Sequence, residues 1–137
     1  MGRSGGAAMT EHLTPAGLHR SPGAFTPVVR VGDLAFLSGQ VAWDEHGNLC
    51  GEDHATQMRR IAQNLDIALA AVGCGREDVV KETVYVVDYR PELISGLFGA
   101  LREGVPTAPA STMVGVAALF APDVLVEVDV VAKVPTP

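Results

Sequence analysis

VLVEVDVVAKV, residues 124–134, alternates with a period of two. Successive side chains of a strand point to opposite faces of its sheet. Val124, Val126, Val128, Val130, Ala132 and Val134 therefore form one wholly apolar row. Leu125, Glu127, Asp129, Val131 and Lys133 form the other, which is neither clean core nor clean solvent surface. This predicts a sheet whose first face is covered by the chain itself and whose second meets another subunit.

The covering layer is legible upstream. Met58, Ile61, Ala62, Leu65, Ala68, Leu69 and Val72 recur at three- and four-residue spacing, which is one buried helical stripe. Asp53 or Thr56 can cap its start, and Gly73 and Gly75 end it. A second helix is predicted over about 91–103, with Pro91 in its first turn and Ile94, Leu97, Phe98 and Leu101 buried. Two helices cover one face of a sheet.

The remaining apolar runs supply strands. VVRVGDLAFLSGQVAW breaks at Gly32-Asp33 and reads as a hairpin or bent strand pair, roughly 28–31 and 34–42. DVVKETVYVVDY follows the first helix, with Val80, Val84 and Val86 expected on one face and Lys81, Thr83, Tyr85 and Val87 on the other. A strand over 110–118 and the one over 124–134 flank a turn at Pro122-Asp123. By parity, Met113 is expected on the mixed face. Residues 1–20, rich in Gly, Pro and Ala and without periodicity, read as a mobile N-terminal arm, leaving 21–137 as one domain. The fold class is α+β, order ββαβαββ, in an oligomer.

Composition narrows function. With 137 residues, 47% hydrophobic and 19% charged, the chain suits one globular domain. A net charge of −6 without a basic stripe argues against a nucleic-acid partner. No run approaches the roughly 20 apolar residues of a membrane span. Cys50 and Cys74 carry no CxxC spacing and read as free thiols in a reducing cytoplasm. The four histidines lack metal-ligand spacing, so no metal is expected.

Several residues can carry chemistry. A carboxylate among valines, Glu127 can hold a raised pKa and act as general acid or base; a solvated or ion-paired strand residue fits the same pattern. Ser38-Gly39-Gln40 ends a strand, where a glycine admits a ligand or simply bends the sheet. Arg90 can clamp a carboxylate or stand in solvent. Ser111 and Thr112 can donate hydrogen bonds, yet no histidine at readable spacing makes either a nucleophile. GxGxxG and GxxxxGK[ST] are both absent.

LAFLSGQVA, the helix frame Gln57…Asn64-Leu65…Gly73, DVVKETVYVVD, Pro109-Ala110 and VLVEVDVVA occur in that order. Together they make residues 22–134 resemble the Rid family, the YjgF/RidA-type reactive-intermediate deaminases, some labelled endoribonuclease L-PSP. The resemblance implies a chorismate-mutase-like fold, a six-stranded mixed sheet with two helices on one face. It also implies a homotrimer, small-molecule clefts between subunits, and no cofactor. Active members hydrolyse enamines and imines to 2-keto acids plus ammonia. In them an arginine after the P-A pair grips the substrate carboxylate and a final-strand glutamate orients water. Glu127 matches that glutamate.

Four positions depart from the family pattern. Ser111 stands at the arginine, Met113 where cysteine or threonine is frequent, Phe25 at a cleft tyrosine and Arg90 at an asparagine. A neutral serine cannot replace an arginine fork, so altered substrate preference is expected of any hydrolase. A non-catalytic, regulatory small-molecule-binding trimer is the alternative. The ribonuclease reading, carried by the older label, is opposed by the acidic charge.

Overall fold

A computed structural model describes residues 9–136. Its elements are β1 (Thr10–Leu13), β2 (Val28–Val31), β3 (Leu34–Gln40), α1 (His54–Ala70), β4 (Val79–Val87), α2 (Ile94–Leu101), β5 (Ala110–Val116) and β6 (Val126–Lys133). They build one six-stranded sheet, ordered β1-β2-β3-β6-β4-β5. Only β4 and β5 run parallel among the paired strands. Because β6 inserts antiparallel between β3 and β4, those two strands point the same way and α1 crosses between them. The α2 crossover joins β4 to β5. This is the α+β, chorismate-mutase-like arrangement expected, with both crossovers on one face.

The alternation of β6 is realised in full. Val124, Val126, Val128, Val130, Ala132 and Val134 are all buried. All but Val124 meet Met58, Ile61, Leu65, Ala68 and Leu69 of α1 and Leu97 and Leu101 of α2 in one core. Each fully buried valine or leucine side chain contributes about 1.5–3 kcal/mol over its exposed state. Asp53 caps α1 by accepting from the Thr56 amide at 2.7 Å.

Gln57 and Asn64 pin loops to this helix. The Gln57 amide donates to the carbonyls of Gly51 and Asp123 and accepts from the Leu125 amide. Asn64 donates to the carbonyls of Val41 and Trp43. A buried ion pair joins β4 to the end of α2, where the Arg102 guanidinium meets both carboxylate oxygens of Glu82.

The uncovered face mixes characters. Val31, Leu34, Phe36 and Val114 are exposed apolar residues there, alongside Glu127, Asp129 and Tyr85.

Four expectations need correction. Residues 10–13 of the expected arm form β1, paired antiparallel with β2, and Leu18 is buried; residues 1–8 lie outside the described residues. This supplies the sixth strand. It is held by backbone ladder bonds, so it needs no apolar alternation of its own. Val80 is exposed rather than buried, because the β4–β6 register slips between Val79 and Lys81. One extra residue reverses parity, so Val79 packs against the core instead, while Glu82 stands on the core side with Val84 and Val86. Ile94 is exposed because a 3-10 turn, Pro91–Leu93, precedes α2 and changes its helical phase, leaving Leu93 against the core. Met113 partners Val84 in register and packs on the core, so it belongs to the helix face rather than the mixed face.

Candidate functional site

The β3–β6 ladder is interrupted at one place. Leu37 partners Val130 and Gln40 partners Val128, so Ser38 and Gly39 together oppose Asp129 alone. Such bulges re-aim side chains and free backbone groups from the ladder. The Ser38 hydroxyl donates to the Thr26 carbonyl at 2.5 Å, and its amide donates to the Pro27 carbonyl at 2.9 Å. Ser38 thus ties the bulge to the segment entering β2. The Gln40 side-chain amide donates back to the Ser38 carbonyl at 3.1 Å.

Gly39 leaves room for the Glu127 side chain. A Cβ built on it would stand 2.7 Å from Cδ of Glu127 and 3.0 Å from its Cγ. The φ of Gly39 lies outside the left-handed region, so only space demands glycine here. The Glu127 carboxyl therefore rests over bare backbone.

Glu127 is half-buried. Burial first, and the Asp129 carboxylate second, raise its pKa above the ordinary carboxylate value. Asp129 in turn accepts from the Tyr85 hydroxyl at 3.0 Å. That bond, followed by burial, pushes the Tyr85 phenol up. A carboxyl so placed holds its proton nearer to neutrality than a solvated one, which suits proton exchange with water.

Glu127, Ser38 and Gly39 open onto a cavity of about 350 Å³, within the range of small-metabolite sites. Phe25, Leu18, Pro27 and Val41 add apolar walls. Trp43 joins them, flanked edge-on by His19 at 5.0 Å and Phe120 at 5.1 Å between ring centroids. Gln40 and Asn64 complete the lining. The Asn64 Oδ1 is buried without a hydrogen-bond partner.

Within one chain, the cavity gathers Phe25, Ser38, Gly39 and Glu127 from the sequence-predicted set. The other four stand elsewhere. Ser111 is exposed on β5, separated from β6 by β4. The Thr112 hydroxyl accepts from the Lys81 ammonium at 2.8 Å. Met113 faces the core, as described above. Arg90 is exposed, 3.9 Å from the Glu92 carboxylate, and donates to the Asp88 carbonyl at 3.4 Å.

Sequence reasoning missed Leu18, His19, Trp43 and Phe120. Leu18 and His19 fell in the expected arm. Trp43, the single tryptophan of the chain, is the one signal that marked the place in advance. Among the described residues no cluster of three or more His, Cys, Asp or Glu could hold a metal ion, and no helix is long and apolar enough to cross a membrane.

A mixed sheet with two helices on one face and a bulge-framed cleft at the end of β3 defines a class of small α+β proteins with a metabolite-sized pocket. The family model described as Endoribonuclease L-PSP matches residues 18–134. The RutC family protein slr0709 of Synechocystis is 35% identical over 117 residues, spanning 83% of this chain and 88% of that one. RutC family protein YjgH of Escherichia coli is 33% identical over 125 residues, covering 88% and 92% respectively. The solved structure of YyfA from Yersinia pestis, a protein of the conserved Rid family, superposes with a TM-score of 0.82 at 23% identity, over 92% of this chain and all of that one, and speaks to the fold. The chain belongs to the Rid family, also called YjgF or L-PSP.

Proposed function

We propose that this protein is a Rid-type hydrolase of enamines and imines with altered substrate preference, working without a cofactor as a homotrimer. The observation that carries this reading is the half-buried Glu127 carboxyl, held over Gly39 at the wall of a 350 Å³ cavity. On this reading Glu127 accepts a proton from water as the water oxygen attacks the imine carbon. The resulting aminoalcohol releases ammonia, leaving a carbonyl product.

The exposed Val31, Leu34, Phe36 and Val114 support burial of the open face against other copies. In a trimer, the β5 edge of one copy would complete the cleft of its neighbour, bringing Ser111 and Thr112 to the ligand. The free thiols Cys50 and Cys74 suit a reducing, cytoplasmic setting.

The test is hydrolysis of imines generated by amino-acid and amine oxidases, read as suppression of semicarbazone formation. Wild-type protein is expected to suppress it, and Glu127→Gln to lose that effect. Suppression no greater than without protein, across the panel, overturns the reading. Ser111→Arg is expected to raise 2-iminocarboxylate turnover. A non-catalytic ligand-binding trimer is favoured by one observation, the neutral Ser111 at the family's arginine position; it predicts thermal stabilisation by ligand without turnover. Ribonuclease activity has little support from a cavity lined by no lysine or arginine in a chain of net charge −6.

A further inference from the structure

The cavity has an unusual balance of hydrogen-bonding groups. Glu127 is its one charged wall residue, and no lysine or arginine lines it. The Ser38 hydroxyl spends its proton on the Thr26 carbonyl, so toward a ligand it can only accept. One Gln40 N–H is spent on the Ser38 carbonyl. Both Asn64 N–H groups go to backbone carbonyls, leaving its buried Oδ1 unpartnered. Arg60, one turn earlier on α1, also leaves a buried Nε unpartnered, but it does not line the cavity. The site thus offers a carboxylate and spare acceptors, with neither lysine nor arginine among its donors.

Aromatic rings make up much of the rest. Trp43 with His19 and Phe120 forms an edge-to-face row, and Phe25 joins them at the mouth, where it and Phe120 are exposed. Ring faces attract cations and pack aryl groups. A carboxylate ligand would bring a second negative charge toward Glu127, with no lysine or arginine of the chain's own cavity wall to answer it. A protonated nitrogen on an apolar body meets every one of these features.

We propose that the cleft selects carboxylate-free, cationic nitrogen ligands with an aryl or bulky apolar group, and that its substrates are the iminium ions formed when primary amines, rather than amino acids, are oxidised. This rests on the hydrolase reading for its reaction but not for its ligand class. The step is R–CH=NH₂⁺ + H₂O → R–CHO + NH₄⁺. Water's oxygen forms the new bond to carbon, the C–N bond breaks, and both water protons end on the departing ammonia. Nothing is oxidised or reduced. The reaction class that supplies the substrate is amine oxidation, and the aldehyde it leaves must be consumed by an aldehyde-oxidising or -reducing enzyme.

A matched pair tests this. The imines of 2-phenylethylamine and of phenylalanine, generated by the respective oxidases, differ only in the carboxylate. The full-length protein is expected to hydrolyse the first with at least tenfold higher kcat/KM. In parallel, thermal unfolding is followed with 2-phenylethylamine and with 3-phenylpropionate. The amine is expected to raise Tm and the acid to leave it unchanged, with the amine's shift reduced in Glu127→Gln. Amine stabilisation without any imine turnover would sink the hydrolase reading and uphold the ligand class. Faster turnover of the phenylalanine imine, or larger stabilisation by the acid, would overturn the ligand class and leave the hydrolase reading standing. Loss of that turnover in Arg90→Ala would then identify a neighbour's Arg90 as the missing cation. Neither turnover nor stabilisation would remove both.

Discussion

Replacing Arg102 by Met isolates the cost of one buried charge. Glu82 is 2% exposed, and the Arg102 guanidinium answers both of its oxygens, with Nη1 to Oε1 at 2.7 Å. Arg102 also lies over the Phe98 ring, 5.0 Å from its centroid. Removing one partner of a buried pair costs about 3–5 kcal/mol, because the other charge stays desolvated. The Arg102 side chain is 22% exposed, so water can follow it inward, which favours the lower end, about 3 kcal/mol. For a chain of this length each kcal/mol moves Tm by about 3–5 °C, giving a fall of roughly 10–15 °C. The assay is thermal and urea unfolding at one fixed protein concentration, since subunit association would shift both. The double variant Glu82→Met/Arg102→Met removes both charges and is expected to recover most of the loss. A single variant losing less than about 1 kcal/mol, or a double variant no better than the single, would refute the reasoning.

Three further outcomes are expected. Gly39→Ala must push the Glu127 carboxyl aside by at least about 0.7 Å at Cδ, the gap between 2.7 Å and an ordinary 3.4 Å contact, and by more at Oε2, which stands nearer still. Displacements near 1 Å cost up to about 100-fold in rate, so imine turnover should fall steeply while Tm holds or rises slightly; unchanged turnover would show that the carboxyl does not need this seat. Glu127→Gln should raise Tm near pH 7–8 and leave it unchanged near pH 4. The raised pKa means the fold holds the Glu127 proton to higher pH than the unfolded chain does, so stability is lost as pH climbs from about 4.5 through the raised value. An equal gain at both pH values would count against burial as the cause. Gln57→Leu strands the Gly51 and Asp123 carbonyls and the Leu125 amide. It should cost about 2–4 kcal/mol in denaturant unfolding, and a loss under about 1 kcal/mol would show that water replaces the side chain.

The core was legible because burial on one face imposes a period that sequence displays. β6 and α1 show it without interruption, and their apolar rows became the core. Features that depend on a partner strand were not legible. The bulges near Val80 and at Ser38-Gly39 exist only relative to β6, and nothing local announces the extra residue. β1 lies in a Gly- and Pro-rich context, is largely exposed, and pairs with residues 15–21 positions beyond its own. Of the cavity wall, Ser38, Gly39 and Glu127 were legible from the strand pattern and Phe25 through the family resemblance. The rest of the aromatic wall was not, because His19, Trp43 and Phe120 meet from three loops far apart in the chain.

Ser111 sits on an edge strand, exposed, with no side-chain role in the core. Changes at such positions usually cost within about 0.5 kcal/mol of stability. Glu127 is different, seated by a bulge and over a glycine whose replacement would displace it. The fold therefore separates a part that must be kept from a part that can be rewritten. A lineage could exchange charge at residue 111 many times without once risking the scaffold that seats Glu127.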